Sequence, residues 1–458
     1  MVFSAPIFVF GFLPLFLAVY YVVPRSARNW LILLASTVFY AWWRADALLV
    51  LYAIAGGSYF AGRVAAKAQN ARQKIWAVRL GVAFNLAILG WFKYTTFLLG
   101  NLNTALGGDA LIVPEILLPI GLSFLTFQSI SYIVDVSRGD TPPARKLSDF
   151  LAFSSLFPQL IAGPVLRYKD LAHQFEQRRH SRALFLRGVR RFVHGLAMKV
   201  LVADSVAPLA DRLFALPDPT LAEAWLGAVA YSVQLLFDFA GYSAMAIGLG
   251  LMIGFHFPEN FNAPYVSRSV TEFWRRWHIS LSTWLRDYLY VPLGGNRCGP
   301  LKTYRNLLLT MLLGGIWHGA NWTFLIWGAW HGGLMAIERA LGAKQRESVW
   351  PKAIAWPLTM VFVIVGWVIF RAETLAQALQ MYAGMLGVNG VAMRPELVTL
   401  TAPSEMLFLA VGLCISIAPA LCLPQWKPMP ALKSAVLSML CFVVLQARTD
   451  SPFLYFQF

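Results

Sequence analysis

Charge is scarce in this chain, and negative charge is scarcest. Only 13% of its 458 residues are Asp, Glu, Lys or Arg, about half the ~25% of a soluble domain. That deficit excludes a water-soluble globular domain. No polar linker, low-complexity stretch or fixed-period repeat interrupts the chain. Cysteine is nearly missing too. Cys298, Cys414, Cys422 and Cys441 include no CxxC pair, and three lie in apolar C-terminal segments. Neither a disulfide framework nor a metal site is implied, so we expect no metal. The N-terminal run Met1–Val23 lacks Lys and Arg, whereas Arg25 and Arg28 follow it. It therefore reads as a first membrane helix with its N-terminus outside, and not as a cleaved signal peptide.

What is present is apolar: 58% of the residues are hydrophobic. Candidate spans are Pro6–Val23, Leu80–Leu99, Leu117–Val134, Leu221–Phe239, Tyr242–Phe257, Leu307–Ile316, Trp322–Ile337, Ala353–Phe370, Met406–Leu423 and Leu432–Leu445. Several fall short of the ~20 residues of a simple span, so they are expected to be tilted, re-entrant or buried among others. The expected fold is an all-α polytopic membrane protein of about ten to twelve helices.

Thirty-eight Lys+Arg against 22 Asp+Glu leave a net charge of +16. The excess gathers in Arg63–Arg79, Arg167–Arg191 and Ser267–Arg305. Basic loops mark the cytoplasmic side and the anionic inner leaflet, so membrane lipids are an expected partner. No basic–aromatic pattern suggests nucleic acid, and none is expected as a partner.

Within Tyr265–Tyr290, Phe273, Trp277, Leu281, Trp284 and Tyr288 recur at intervals of three or four, as on one amphipathic helix. Polar groups at membrane depth are costly and tend to face a cavity. Gln234 and Asp238 lie four apart, on one helix face. They either line a cavity or clamp helices together. His318 and Asn321 interrupt Gly315-Ile-Trp-His-Gly-Ala-Asn-Trp322, and His331 follows in Trp330-His-Gly332. On one unbroken helix, the 13-residue offset from His318 to His331 puts them ~220° apart at ~100° per residue. His331 is then expected to hydrogen-bond between helices. The Gly-Ala-Asn sequence marks an expected break. A histidine with an ordinary pKa of ~6.5 can serve as a base near neutrality, and Trp317 and Trp322 suit a dry channel around His318.

Several longer motifs carry a resemblance. They are Pro119-Ile-Gly-Leu-Ser-Phe124, Phe157-Pro-Gln-Leu-Ile-Ala-Gly-Pro164, Tyr231-Ser-Val-Gln-Leu-Leu-Phe-Asp-Phe-Ala-Gly-Tyr-Ser243 and Glu259-Asn-Phe-Asn-Ala-Pro-Tyr265. They continue with Phe273-Trp-Arg-Arg-Trp-His-Ile-Ser-Leu-Ser282, Pro292-Leu-Gly-Gly-Asn-Arg297, Gly314-Gly-Ile-Trp-His-Gly319, Trp327-Gly-Ala-Trp-His-Gly332 and Gly366-Trp-Val-Ile-Phe-Arg371. In this order they resemble the membrane-bound O-acyltransferase family, and within it the membrane subunits of bacterial alginate and cellulose O-acetylation. The likeness covers residues 1–375, expected to form a catalytic membrane core with a central channel. Residues 376–458 are expected to add helices to the same membrane domain.

The resemblance implies an inner-membrane enzyme with no bound cofactor. It would take acetyl from cytosolic acetyl-CoA and pass it across the membrane to a polysaccharide. A periplasmic or membrane-tethered acetyltransferase would be its partner. His318 falls on the family's catalytic Trp-His-Gly histidine, and His278 on the second histidine of the active centre. Arg275, Arg276 and Arg286 are expected to meet the donor's phosphates or to anchor at headgroups. Asp238, Gln234, Asn321 and Trp317 are expected to line the donor path. The acceptor stays open between a polysaccharide, a lipid, a teichoic acid and a protein, and so does the choice between general base and acetyl carrier for His318. A rival reading is a transporter that does no chemistry, with Asp238, His318 and His331 as its path, although the chain lacks the two pseudo-symmetric halves many transporters show.

Overall fold

The computed structural model describes residues 2–108, 110–161, 163–342, 348, 350–417 and 430–447, and the described residues contain helices and loops without strands. The chain divides into two compact units. One is Met1–Phe192 with Met245–Pro258, and the other is Val193–Ala244 with Glu259–Phe458.

The first unit contains α1 (Ile7–Val22), α2 (Arg28–Ala41), α3 (Ala47–Lys67), α4 (Ala71–Leu106), α5 (Leu122–Arg138), α6 (Leu147–Ser154) and α7 (Tyr168–Glu176). α8 (Arg182–Phe214) and α9 (Leu221–Met252) contribute to both units. The basic run Arg63–Arg79 proves to be two helix ends joined at Ala68–Asn70, with Asn70 accepting from Gln73 N as the cap of α4. In α3, Leu51, Ile54 and Ser58 are buried while Leu49 and Phe60 are exposed. Spacings of three and four put the first set on the packed face and leave the others for lipid. Asn85 Nδ2 donates to Ser58 Oγ at 2.9 Å, joining α4 to α3 where both are buried.

The second unit continues with α10 (Val270–Arg276), α11 (Ile279–Leu285), α12 (Pro300–His318), α13 (Trp322–Ala340), α14 (Lys352–Arg371), α15 (Leu375–Met385), α16 (Pro403–Ile417) and α17 (Ala431–Ala447). Among the described residues five helices are long and apolar enough to cross a membrane: α3, α4, α8, α9 and most of α14, while Ile7–Val22, Pro403–Ile417 and Ala431–Gln446 are shorter apolar helices. The protein is an all-helical, multi-pass membrane protein.

Four expectations are corrected. Leu221–Phe239 and Tyr242–Phe257 are not separate spans, because α9 runs unbroken through Gly241 to Met252. A Cβ on Gly241 would lie 2.8 Å from the Gly195 carbonyl, so this glycine permits close packing on α8 and does not break α9. The expected loop Arg167–Arg191 contains α7 and the start of α8. The single amphipathic helix over Tyr265–Tyr290 is broken at His278, whose φ of 42° lies in the left-handed region. The predicted span Leu117–Val134 starts late, at Leu122, because Pro119 and Gly121 (φ 76°) shape a turn ahead of it. Cys298, Cys414 and Cys441 are free thiols. Cys422, Ala162 of the Phe157–Pro164 motif and the end of Met406–Leu423 lie outside the described residues.

Candidate active site

The Gly-Ala-Asn break expected after His318 is present. α12 ends at His318, and Asn321 caps α13 by accepting from Thr323 N at 3.1 Å. The amide nitrogen of Asn321 donates to the Glu373 carbonyl at 2.8 Å, so its polar atoms hold the turn between α12 and α13. The two helices pack closely. A Cβ on Gly315 would meet the Phe324 carbonyl oxygen at 2.2 Å, and one on Gly328 would meet that of Met311 at 2.4 Å. Only glycine permits this approach, and it brings the end of α12 against Trp327.

His318 is buried and walled by aromatic edges: Trp317 at 5.0 Å between ring centroids, Trp327 at 5.1 Å and Phe370 at 5.3 Å. Trp327 also meets His331 at 5.1 Å. The helix break thus brings to one indole two histidines that an unbroken helix would separate. His331 is fully buried among Phe273, Trp274, Trp327 and Trp367. Neither of its ring nitrogens has a hydrogen-bond partner among the described residues. The expected inter-helix hydrogen bond is not made among them, because the walls are aromatic and offer no acceptor.

His278 sits between α10 and α11. The chain reverses there, and two backbone bonds tie it to the Glu259–Tyr265 segment: Ile279 N to Asn260 O and Asn262 N to Arg276 O, each 2.9 Å. Asn260 Oδ1 accepts from Ser280 N at 3.2 Å and from Ser280 Oγ at 2.8 Å, which identifies it as the amide oxygen. His278 Nδ1, 3.1 Å away, must then carry the proton, and Nε2 is the basic position of the neutral ring. Burial pushes this imidazole down to about 3, so it is neutral at cellular pH. His278 reaches His318 through an aromatic chain: Phe239 at 4.8 Å, then Trp277, Trp367 and Phe370.

The remaining expected residues separate. Asp238 forms an ion pair with Lys199 at 2.8 Å, and Lys199 also pairs with Asp204 at 2.5 Å. The pair with Asp238 joins α9 to α8, as an inter-helix clamp does. Lys199 lies in a π-helical turn, Met198–Ala203, within α8. Gln234 is buried and its Oε1 has no hydrogen-bond partner among the described residues, as is true of the Tyr231 hydroxyl three residues before it. Arg276 pairs with Glu272 and Arg286 with Asp287. Arg275 is exposed and has no ion pair among the described residues, and Arg286 is exposed beside its neighbour Asp287, so both face outward toward an external phosphate.

Sequence reasoning missed Asn260, Trp327, Lys199 and Glu338. Asn260 and Trp327 lay inside the recognised motifs. Lys199 carried a signal of its own, a cation in the apolar run Leu196–Val206. Glu338 gave none. Its carboxylate accepts from Val270 N (2.6 Å), Thr271 N (2.9 Å) and Thr271 Oγ1 (2.8 Å), fastening α10 to α13.

Comparison with known proteins agrees with the motifs. The sequence profile of MBOAT, the membrane-bound O-acyltransferase family, matches residues 142–376. The chain is 50% identical to the probable alginate O-acetylase AlgI of Azotobacter vinelandii over 100% of both chains. It is 56% identical to the probable alginate O-acetylase AlgI of Pseudomonas aeruginosa, over 84% of this chain and 75% of that one. It is also 38% identical to the peptidoglycan O-acetyltransferase of Helicobacter pylori, over 86% of this chain and 81% of the other.

Proposed function

Because the chain belongs to the membrane-bound O-acyltransferase family, we propose that it is the inner-membrane O-acetyltransferase of an extracellular polysaccharide, alginate in the first instance. Its donor is acetyl-CoA from the cytosol. Its partner is a periplasmic or membrane-tethered acetyltransferase that completes transfer to the polymer. The relatives named for alginate O-acetylation support the acceptor. The observation that carries the reading is His318, buried among Trp317, Trp327 and Phe370 where α12 breaks before α13.

His318 takes the proton of an acceptor hydroxyl. The hydroxyl oxygen bonds to the acetyl carbonyl carbon, the carbon–sulfur bond breaks, and the proton returns to the leaving thiolate. A thioester is already activated, so this balance needs no further reactant. The developing oxyanion needs a donor. Trp327 Nε1–H is buried beside His318 without an acceptor among the described residues, and it supplies one. Neutral His278 orients the donor, and Arg275 meets the donor's phosphates from the basic face.

The test is acetyl transfer from labelled acetyl-CoA by the purified chain in lipid, with and without the partner, for wild type and His318→Ala. Transfer by wild type and none by the variant is expected. Transfer that survives His318→Ala at equal protein level refutes the assignment. Donor uptake without thioester cleavage identifies a transporter.

A further inference from the structure

The ends of three apolar helices meet in the first unit. They are the C-terminal end of α1, the start of α8 at Arg182 and the end of α9 at Met252. Tyr21 Oη donates to Met252 O at 2.5 Å, and Tyr20 Oη to Ile253 O at 2.9 Å. Beside them opens a cavity of about 380 Å³, lined by Tyr21, His180, Ser181, Arg182 and Phe185. Helix ends and tyrosines of this kind lie at the membrane–water boundary.

The cavity's surroundings are cationic. Because the Tyr20 hydroxyl spends its hydrogen on Ile253, its oxygen accepts from His180 Nε2, 3.0 Å away. His180 Nδ1 is then the acceptor for Arg28 Nη1 at 3.3 Å. Burial, then the charges of Arg28, Arg178 and Arg25, hold His180 below its usual range, so the ring adds no charge of its own to theirs. The acid that bears on this cluster is Asp149, which accepts from Asn29 at 2.8 Å and acts on Arg178. Arg178 is further held by Asn29 Oδ1 at 2.7 Å and lies over the Phe255 ring. Arg28 and Arg182 have no carboxylate partner among the described residues, and Arg28 Nε is buried without a hydrogen-bond partner. Arg182 lines the cavity, and Arg28, over the Tyr20 and Tyr21 rings and bonded to the lining residue His180, adds a second guanidinium behind that wall, which together suit an anion. The cavity's apolar walls, Tyr21 and Phe185, continue along α1 into Val19 and Leu15, both exposed to the surroundings.

We propose that this pocket binds the phosphate of an anionic phospholipid, with Arg28 and Arg182 as its cationic contacts and the exposed flank of α1 as the bed for an acyl chain. A soluble phosphate satisfies the same guanidinium groups but has no use for that flank, and this favours the lipid. The proposal does not depend on the proposed reaction.

The experiment is native mass spectrometry of the full chain titrated with phosphatidylglycerol, with phosphatidylcholine and inorganic phosphate as parallel arms. Wild type should prefer phosphatidylglycerol over phosphatidylcholine. Arg28→Gln with Arg182→Gln should weaken that binding by about tenfold or more, the scale of one lost hydrogen bond to a charged group. Arg28→Lys with Arg182→Lys should retain the preference. So should Arg44→Gln, since Arg44 pairs with Asp46 elsewhere. Arg182→Gln alone, at an exposed residue, provides the reading in a variant expected to fold normally. Equal binding of the two lipids by wild type, or unchanged phosphatidylglycerol binding in the glutamine variants, overturns the proposal. Displacement of phosphatidylglycerol by excess inorganic phosphate also overturns it, since the pocket would then be a soluble-phosphate site.

Discussion

Removing the Glu338 carboxylate should loosen the wall of the candidate active site without touching either proposed catalytic histidine. Glu338 is 2% exposed and accepts two backbone N–H groups and one hydroxyl from the first turn of α10. Glu338→Ala leaves all three donors without this acceptor. Hydrogen bonds to a charged group contribute about 1.5–3 kcal/mol each, so three lost together would sum to about 4.5–9 kcal/mol. Thr271 is partly exposed, so water recovers some of that for its two donors. We expect a net loss of about 3–5 kcal/mol. A shift of about 2–4 °C per kcal/mol applies to 150–250 residues and roughly halves for twice the length, which predicts a fall of about 3–10 °C. α10 carries Phe273 and Trp274, which wall His331, and leads into His278. Acetyl transfer should therefore fall along with stability. The assay is thermal unfolding of the purified chain in one detergent, paired with labelled acetyl transfer. A melting temperature within about 1 °C of wild type, at full activity, would refute the view that this carboxylate holds α10 in place.

The remaining predictions concern charge and packing. His278 binds its proton only near pH 3 in the folded chain but near ~6.5 when unfolded, so its contribution is complete above ~6.5 and falls by about 1.4 kcal/mol per pH unit below it. Denaturant unfolding at pH 6.5 and pH 5 should show a steeper acid loss in wild type than in His278→Asn, a residue that tolerates the left-handed backbone. Equal slopes would mean that the imidazole is not buried. Gly315→Ala or Gly328→Ala should cost about 1–3 kcal/mol through overpacking, because each Cβ meets a backbone oxygen, at 2.2 and 2.4 Å. Gly333→Ala, with nothing within 4 Å, should be neutral or stabilising, and comparable melting of all three would count against the close packing of α12 on α13. Lys199→Met removes the cation from buried Asp238 and partly buried Asp204 and should cost about 3–5 kcal/mol, whereas the added changes Asp204→Asn and Asp238→Asn should restore much of it. Folded yield in membranes reads this, and an unaffected single variant would contradict the clamp.

Some of this protein was legible in the sequence alone, because it rests on local physics. Scarce charge and long apolar runs determine a helical membrane protein, since lipid leaves backbone groups no partner but the helix's own. The Gly-Ala-Asn interruption after His318 announced a helix break, and the motifs from Pro119 to Arg371 identified the family. Other features depend on residues distant in sequence and were decided by tertiary structure. Gly241 looked like the boundary between two spans, but it is a packing glycine because α8 passes within van der Waals reach. The stripe from Phe273 to Tyr288 obeyed helical spacing, yet hydrogen bonds from the Asn260 segment impose a left-handed residue at His278 and break it. Asp238 has Lys199 as its ion-pair partner only because α8 packs on α9. His318 and His331 share Trp327 only because the break redirects α13. Periodicity and composition report what each segment needs from its surroundings. Which distant side chain meets that need depends on how helices far apart in the chain pack.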